Sequence, residues 1–254
     1  MRKPLSNPLK SHDGEIMADI GEENYPVGQQ KFGTVFVLDI SGSMSNQIEA
    51  LCESFNNFVE AAREKRAVSA NADLAVIAFD HNVNVVVPWT NIGAMEPLNL
   101  AVGGSTNIRD AMKKASDMAR ERSHHYDDNH IRAKKPWIIL MTDGYSDKDK
   151  PVDSVAKEMR ALEESGRYHI LALGMGEQYN DFELKKFTDM AMAIPDWNFE
   201  RFFEFWGKSM AVLSTPTDNE KVNLPVENAK TMLEDQMDHE KKLEEKFKMF
   251  TVST

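Results

Sequence analysis

The chain has 254 residues and is acidic, with 30 Lys and Arg against 41 Asp and Glu and a formal net charge of −11. This charge argues against non-specific binding to nucleic-acid phosphates or to anionic membrane surfaces, so we expect neither as a partner. Hydrophobic residues make up 41% of the sequence, enough for a sizeable core, and we expect one α/β domain with extensions.

Cys52 is the only cysteine, so the chain can form neither an internal disulfide nor a cluster of thiolate zinc ligands. It lies on the apolar stripe of a predicted helix, where we expect a small core residue. Residues 1–10 carry positive charge, but no apolar signal segment follows them, and no run of about 18 apolar residues occurs. These features predict a soluble, cytoplasmic protein.

The first part of the chain divides into an arm and the start of a domain. Residues 1–30 combine prolines, glycines and polar side chains, which predicts an irregular arm with one short candidate strand over residues 15–20. From residue 31 the pattern changes. Residues 35–38 form an apolar run typical of a parallel strand buried on both faces, and the run ends at Asp39.

The next segments predict a helix and a hairpin. Ser45 is the candidate N-cap of a helix with a single apolar face; the apolar positions are Ile48, Leu51, Cys52, Phe55, Val59 and Ala62. Residues 74–79 and 83–87 then predict two strands joined by a turn, and Pro88 is expected to end the second strand.

Helices and strands alternate over the rest of the predicted domain, residues 31–214. Helices are predicted at 108–118, 152–162, 182–190 and 202–213, and strands at 137–141 and 170–173. This alternation predicts an α/β fold with a doubly wound, mostly parallel sheet covered by helices on both faces. Residues 215–254 predict a linker and a charged helix, which suits a solvated helix and a partner-binding helix about equally.

Two predicted strands end in acidic turns that carry hydroxyl groups. Asp39 is followed by Ser41 and Ser43, and Asp143 follows the strand that begins near Trp137. The carboxyl ends of parallel strands border one crevice, so we expect the two turns to lie side by side. Carboxylate and hydroxyl oxygens suit a hard cation such as Mg²⁺. Thr106, after Gly103 and Gly104, would add a third hydroxyl.

These segments together resemble the metal-ion-dependent adhesion site of von Willebrand factor A domains. The matching residues are 39–44, 103–108 with Ala111, and 141–144, in the same order as in the family. The resemblance implies the Rossmann-like fold of that family and a divalent metal, Mg²⁺ or otherwise Mn²⁺ or Ca²⁺; the implied ligands are Asp39, Ser41, Ser43, Thr106 and Asp143. It also implies an open coordination position that an Asp or Glu of a partner protein fills.

Two details of the resemblance go further. Ser105 is an alternative to Thr106 as the hydroxyl ligand, but the spacing to Ile108 and Ala111 favours Thr106. Cytosolic bacterial family members associated with tellurium resistance look most similar, judging by residues 98–101 and the aromatic helix that ends near Leu213. That likeness implies a role in a stress-response or defence assembly.

Other interpretations of the same residues stay open. Asp39 and the serines could cap a helix, or Asp39 could serve a magnesium-dependent phosphohydrolase, although Ser41 stands where that chemistry needs a second acid. The protein could also be a scaffold that acts through its C-terminal helix. Residues 124–130 could bind zinc, but a polar surface loop explains them better. No dinucleotide loop, phosphate-binding loop or hydrolase triad is found, so no enzyme is expected.

Overall fold

The computed structural model describes residues 30–177, 179–194 and 196–214. The predicted arm with its candidate strand at 15–20, and the predicted linker and helix of 215–254, lie outside the described residues. The elements are, in chain order, β1 Phe32–Asp39, α1 Ile48–Arg63, α2 Arg66–Asn71, β2 Ala72–Phe79, β3 Val83–Asn91, α3 Ile108–Asp128, β4 Trp137–Thr142, α4 Asp153–Glu164, β5 His169–Met175, α5 Asp181–Phe187, β6 Ala191–Ile194 and α6 Phe199–Leu213.

The strands form one sheet in the order β3-β2-β1-β4-β5-β6. All neighbouring strands are parallel except β2 and β3, which are antiparallel. The predicted doubly wound, mostly parallel α/β fold is therefore confirmed. Because the chain winds outward from β1 in one direction and from β4 in the other, the strand order reverses between these two strands. A crevice for ligands is expected at their carboxyl ends.

The sheet is covered on both faces because its central strands are apolar throughout. Every residue of β1, β2 and β4 is buried, as a strand between two layers of helices requires. Side chains alternate between the faces, so Phe36 packs on the side of α1 and α6, whereas Val35 packs on the side of α3 and α4.

Helix α1 begins later than the sequence predicts. Residues Gly42–Asn46 form a short 3-10 helix, and α1 starts at Ile48 with Gln47 as its N-cap, without a side-chain cap. The prediction of Ser45 as N-cap is therefore wrong. The physical reason is the tight turn after β1, in which Met44 N donates to the Ser41 carbonyl at 2.9 Å, and this turn occupies the residues that would otherwise begin the helix.

Strand β3 does not end at Pro88 but continues to Asn91. Its pairing with β2 shifts register on either side of Val76, and Pro88 falls within the irregular stretch. A proline needs no amide hydrogen bond at such a bulge on an edge strand. The short elements α2 and β6 were not predicted, because four to six residues carry too little periodicity to be recognised.

Two further expectations concern single segments. Residues 124–128 belong to the last turns of α3 rather than to a polar loop, because the apolar stripe of this helix extends to the buried Tyr126. Cys52 is half-buried on α1, and this burial raises the pKa of its thiol. None of the described helices is long and apolar enough to cross a membrane.

Four phenylalanines join α6 to α1 and to the sheet. Phe203 of α6 stacks on Phe58 with ring centroids 5.4 Å apart and meets Phe55 edge-on at 5.4 Å. Phe36 of β1 completes the group, with its ring centroid 5.3 Å from that of Phe55. This aromatic cluster fixes the last described helix on the sheet.

Replacing Phe203 by alanine should lower the free energy of unfolding by about 3–5 kcal/mol, because the buried ring leaves a cavity between α6 and α1. The matched control is Phe182→Ala, at a side chain that is 74% exposed, which should change stability by less than about 0.5 kcal/mol. Urea denaturation followed by tryptophan fluorescence measures both. Equal losses for the two variants would contradict the packing described here.

Candidate metal centre

The two acidic turns lie next to each other at the carboxyl edge of the sheet. Asp39 is the last residue of β1, and Asp143 directly follows β4. These strands are parallel neighbours, with Leu38 opposite Met141. The sheet therefore brings the two turns together at the point where the strand order reverses, as the sequence predicts.

Asp39 is completely buried, and polar groups of the site surround its carboxylate. Ser41 N donates to Oδ1 at 2.8 Å, and the Thr142 hydroxyl donates to Oδ2 at 2.5 Å. No lysine or arginine in the described part of the chain forms an ion pair with it. Burial raises the pKa of Asp39 to about 6, although the hydrogen bonds from Thr142 and Ser41 oppose this rise. Within the described ranges the carboxylate thus has no basic side chain as an ion-pair partner.

The hydroxyl groups of Ser41 and Ser43 link the first turn to Asp143. The two serine oxygens lie 3.1 Å apart, and Ser43 donates to Asp143 Oδ1 at 2.8 Å. Burial also raises the pKa of Asp143. A chain of oxygen atoms consequently runs from the end of β1 to the end of β4.

The loop before α3 contributes Thr106, whose position depends on Asp147. Asp147 N donates to the Thr106 carbonyl at 2.8 Å, and Thr106 N donates to Asp147 Oδ1 at 3.2 Å. The Ser105 hydroxyl donates to Asp147 Oδ2 at 2.7 Å. A Cβ atom on Gly144 would lie 3.6 Å from Thr106 Oγ1, so this oxygen faces the turn after Asp143. The arrangement favours Thr106 over Ser105 as a ligand.

Asp80, at the end of β2, supports the site and was not singled out from the sequence. It is 6% exposed, and its carboxylate accepts hydrogen bonds from Asn82 N at 2.7 Å and Gly104 N at 2.8 Å. Burial would raise its pKa, but these backbone hydrogen bonds lower it. An acidic residue at the end of a third buried strand was the available signal, and the turn-like residues after it obscured that signal.

Gly103 and Gly104 lie in the loop before α3 and are needed for the close packing of this loop against the turn after β1. Gly103 N donates to the Ile40 carbonyl at 2.6 Å, and Gly42 N donates to the Gly104 carbonyl at 3.0 Å. A Cβ atom on Gly103 would lie 2.0 Å from Asp80 Oδ2, so no larger residue fits without displacing that carboxylate. The loop that carries Thr106 is therefore held by backbone contacts rather than by side chains alone.

The oxygen atoms of the site fit a small divalent cation. Adjacent ligands of an octahedral Mg²⁺, with metal–oxygen distances of about 2.1 Å, lie about 3 Å apart. The contacts of Ser43 with Ser41 and with Asp143, at 3.1 and 2.8 Å, have this spacing. Among the described residues no group of three or more His, Cys, Asp or Glu is placed to hold a metal, so residues 124–130 gain no support as a zinc site.

The metal-free protein should become more stable when Asp39 is replaced by asparagine. Because burial raises the pKa of Asp39 from 3.8 to about 6, folding without metal is disfavoured as pH rises through this range. Above about pH 6 the variant should gain up to about 3 kcal/mol over the native chain in EDTA, and below about pH 4 the difference should vanish. Chemical denaturation at pH 7.5 and at pH 4 measures this. Lower stability of Asp39→Asn at pH 7.5 would contradict the electrostatic account.

A comparison with models of known protein families matches the part of the chain that contains the site. Residues 34–146 match the model of the von Willebrand factor type A domain. This span contains all five candidate metal ligands. No curated protein matches the chain.

Solved structures extend the comparison. Proximal thread matrix protein 1 from the mussel byssus, solved with a zinc-occupied metal-ion-dependent adhesion site, is 20% identical, covers 72% of this chain and 48% of its own, and gives a TM-score of 0.51. The pilus adhesin SpaC from Lactobacillus rhamnosus GG is 15% identical, with coverages of 72% and 30% and a TM-score of 0.56 in its open conformation.

A von Willebrand factor type A protein from Catenulispora acidiphila is 19% identical, with coverages of 72% and 43% and a TM-score of 0.51. The chain therefore spans about half the length of the mussel protein and less of the other two. At these identities the structural likeness concerns the fold. Residues 34–146 thus match the family model of the von Willebrand factor type A domain, and the described residues share the fold of these three solved structures.

Proposed function

We propose that this domain is a metal-dependent protein-binding module, and that a carboxylate of the partner protein completes the coordination of the metal. The observation that carries the proposal is the environment of Asp39. Its buried carboxylate has no cationic partner among the described residues and sits beside hydroxyl groups at the spacing of octahedral ligands. Such an uncompensated charge is costly unless a cation neutralises it.

The proposed ligands divide into hydroxyls and carboxylates. Ser41, Ser43 and Thr106 would bind the metal through neutral oxygens, while Asp39 and Asp143 would supply negative charge directly or through water. Thr142 and Asp147 do not bind in this scheme; Thr142 orients the carboxylate of Asp39, and Asp147 holds the backbone of Thr106. The bound metal would supply Lewis acidity and positive charge toward the open side of the crevice.

Five coordination positions, filled by these residues directly or through water, leave one position of an octahedral cation for an external ligand. A partner Asp or Glu suits this position, since neutral hydroxyls leave the cation attractive to a further anion. Oxygen donors alone suit Mg²⁺ or Mn²⁺ better than zinc, which more often binds nitrogen and sulfur. The zinc-occupied site of the mussel protein supports a divalent metal at this position of the fold.

A role in protein binding also draws support from the known relatives. The matched structures include a pilus adhesin, although at 15% identity. We propose a non-catalytic module because the described hydrogen bonds of Ser41 join it to Asp39 and Ser43 and include no histidine that could act as the base of a hydrolytic triad. The cytoplasmic location and the bacterial stress-response or defence assembly are proposals that rest on the sequence alone.

A matched pair of variants tests the ligand set. Thr106→Ala should weaken Mg²⁺ binding by about tenfold or more, whereas Ser105→Ala should bind nearly normally, because Asp147 retains its backbone contacts with Thr106. Asp39→Ala and Ser41→Ala should abolish measurable binding. Isothermal titration with Mg²⁺ and with Mn²⁺ provides the affinities, and circular dichroism checks that each variant folds.

The bridging role requires a second readout. Capture of partner proteins from the native host should be lost in EDTA and in folded Asp39→Ala and Ser41→Ala. Unchanged capture by these variants would contradict the metal bridge. Turnover of phosphoesters that disappears in Asp39→Asn would instead support a phosphohydrolase, and loss of capture after truncation at Ser214 would support a scaffold that acts through residues 215–254.

A further inference from the structure

We infer that the partner is recognised by two neighbouring side chains: an acidic one that reaches the metal, and a large apolar one, one to three residues away, that packs on Tyr145. The inference rests on the proposed function of the metal site and specifies the kind of partner that this site selects. A metal alone binds any accessible carboxylate, so selectivity has to come from the surface around it.

The exposed apolar side chains of the described residues concentrate at the edge that carries the site. Large hydrophobic side chains that remain exposed are Val85, Val86, Val102, Tyr145 and Phe182. The two valines of β3 lie on the edge strand. Tyr145 follows the carboxyl end of β4, Val102 precedes Gly103 in the loop before α3, and Phe182 lies in the first turn of α5; we call these three residues the apolar rim. Tyr145 and Phe182 are 64% and 74% exposed, so most of each side chain does not pack against the rest of the described structure.

Hydrogen bonds hold the members of the apolar rim close to the metal ligands. Val102 precedes Gly103, whose amide donates to the Ile40 carbonyl beside Asp39. On the other side, Ser146 N, next to Tyr145, donates to Glu183 Oε2 at 2.9 Å, and Glu183 follows Phe182. The rim therefore flanks the site on the loop before α3, on the turn after β4 and at the start of α5, and hydrogen bonds connect these segments to their neighbours.

The distance along the chain limits the spacing in the partner. Tyr145 is two residues after Asp143, so their Cα atoms lie at most about 7 Å apart. In an extended segment, residues two apart point the same way and lie about 7 Å apart. A partner residue close to the metal-bound acid can thus reach the tyrosine ring. An exposed aromatic side chain beside a desolvated contact is a common source of binding energy at interfaces.

Two basic side chains near the site are already paired with an acidic residue. Arg109 and Lys150, two of the basic side chains near this edge, both pair with Asp110, at 2.8 and 3.5 Å. Their charges are already partly compensated, so they would add little attraction for a second acid. An apolar contact is the remaining feature on which the inference relies, and among the described residues Tyr145 is the exposed aromatic residue nearest in sequence to a proposed ligand.

The test uses the full chain and a panel of synthetic heptapeptides in Mg²⁺. Each peptide carries a central Glu among Gly and Ser residues, with one Phe placed at each position from three before to three after it; the reference peptides lack Phe or carry Gln instead of Glu. The native chain should bind the best Glu peptide with Phe about fivefold to tenfold more tightly than the one without Phe. Tyr145→Ser should lose this preference but keep the preference for Glu over Gln, while Tyr145→Phe should retain both.

Val86→Ser, at an exposed apolar residue in the middle of the edge strand β3 and two strands away from β1, is the control and should behave as the native chain. A preference for Phe that persists in Tyr145→Ser, or the absence of such a preference at every position, would overturn the inference while leaving the metal bridge intact. No discrimination between Glu and Gln in Mg²⁺ would instead contradict the proposed function, and the inference with it. Titration of Tyr145→Ser with Mg²⁺ alone should give the native affinity. This result would show that the variant loses the contact with the peptide's Phe and not the ability to bind Mg²⁺.

Discussion

The structure depends on one electrostatic constraint, the burial of the Asp39 carboxylate at the end of the central strand. A carboxylate in that position loses its hydration, and the hydrogen bonds from Ser41 and Thr142 recover only part of the loss, so its pKa is raised to about 6. No lysine or arginine of the described residues forms an ion pair with this carboxylate, and under the proposed function a bound cation would neutralise it. Stability without metal and affinity for metal would then oppose each other at Asp39.

The surrounding loops make this arrangement rigid. The turn after β1 and the loop before α3 exchange backbone hydrogen bonds. Asp80, which follows β2, and Asp147, which lies beyond β4, each hold part of the loop before α3. Because these contacts involve main-chain atoms, they fix the loops that carry the hydroxyl groups. Under the proposed function, pre-organisation of this kind would lower the entropy lost when the metal binds.

Much of this could be predicted from the sequence because the signals were local. The apolar run that ends at Asp39 and the run that begins at Trp137 marked two central strands, and the rule that parallel strands share one edge placed their turns together. The role of Asp147 could not be predicted, since it acts on a loop distant in sequence, and the signal of Asp80 at the end of a third buried strand was hidden by the turn-like residues after it. The same holds for β6, which four residues form only because β5 offers an edge.

The errors also have physical causes. Ser45 has the chemistry of an N-cap, but the 3-10 turn that shapes the site shifts the start of α1 to Ile48. Pro88 usually ends a strand, yet the irregular pairing of β3 with β2 accommodates it. In both places a local preference gave way to the geometry of the sheet and of the site.

Anomalous diffraction from crystals grown with Mn²⁺ tests the central claim most directly. The account predicts one strong anomalous peak at the carboxyl ends of β1 and β4, about 2.2 Å from the hydroxyl oxygens of Ser41, Ser43 and Thr106, with Asp39 and Asp143 in direct or water-mediated contact. Ser105 should keep its hydrogen bond to Asp147. A peak elsewhere on the chain, or one bound by Ser105 with Asp39 still unpaired, would contradict it.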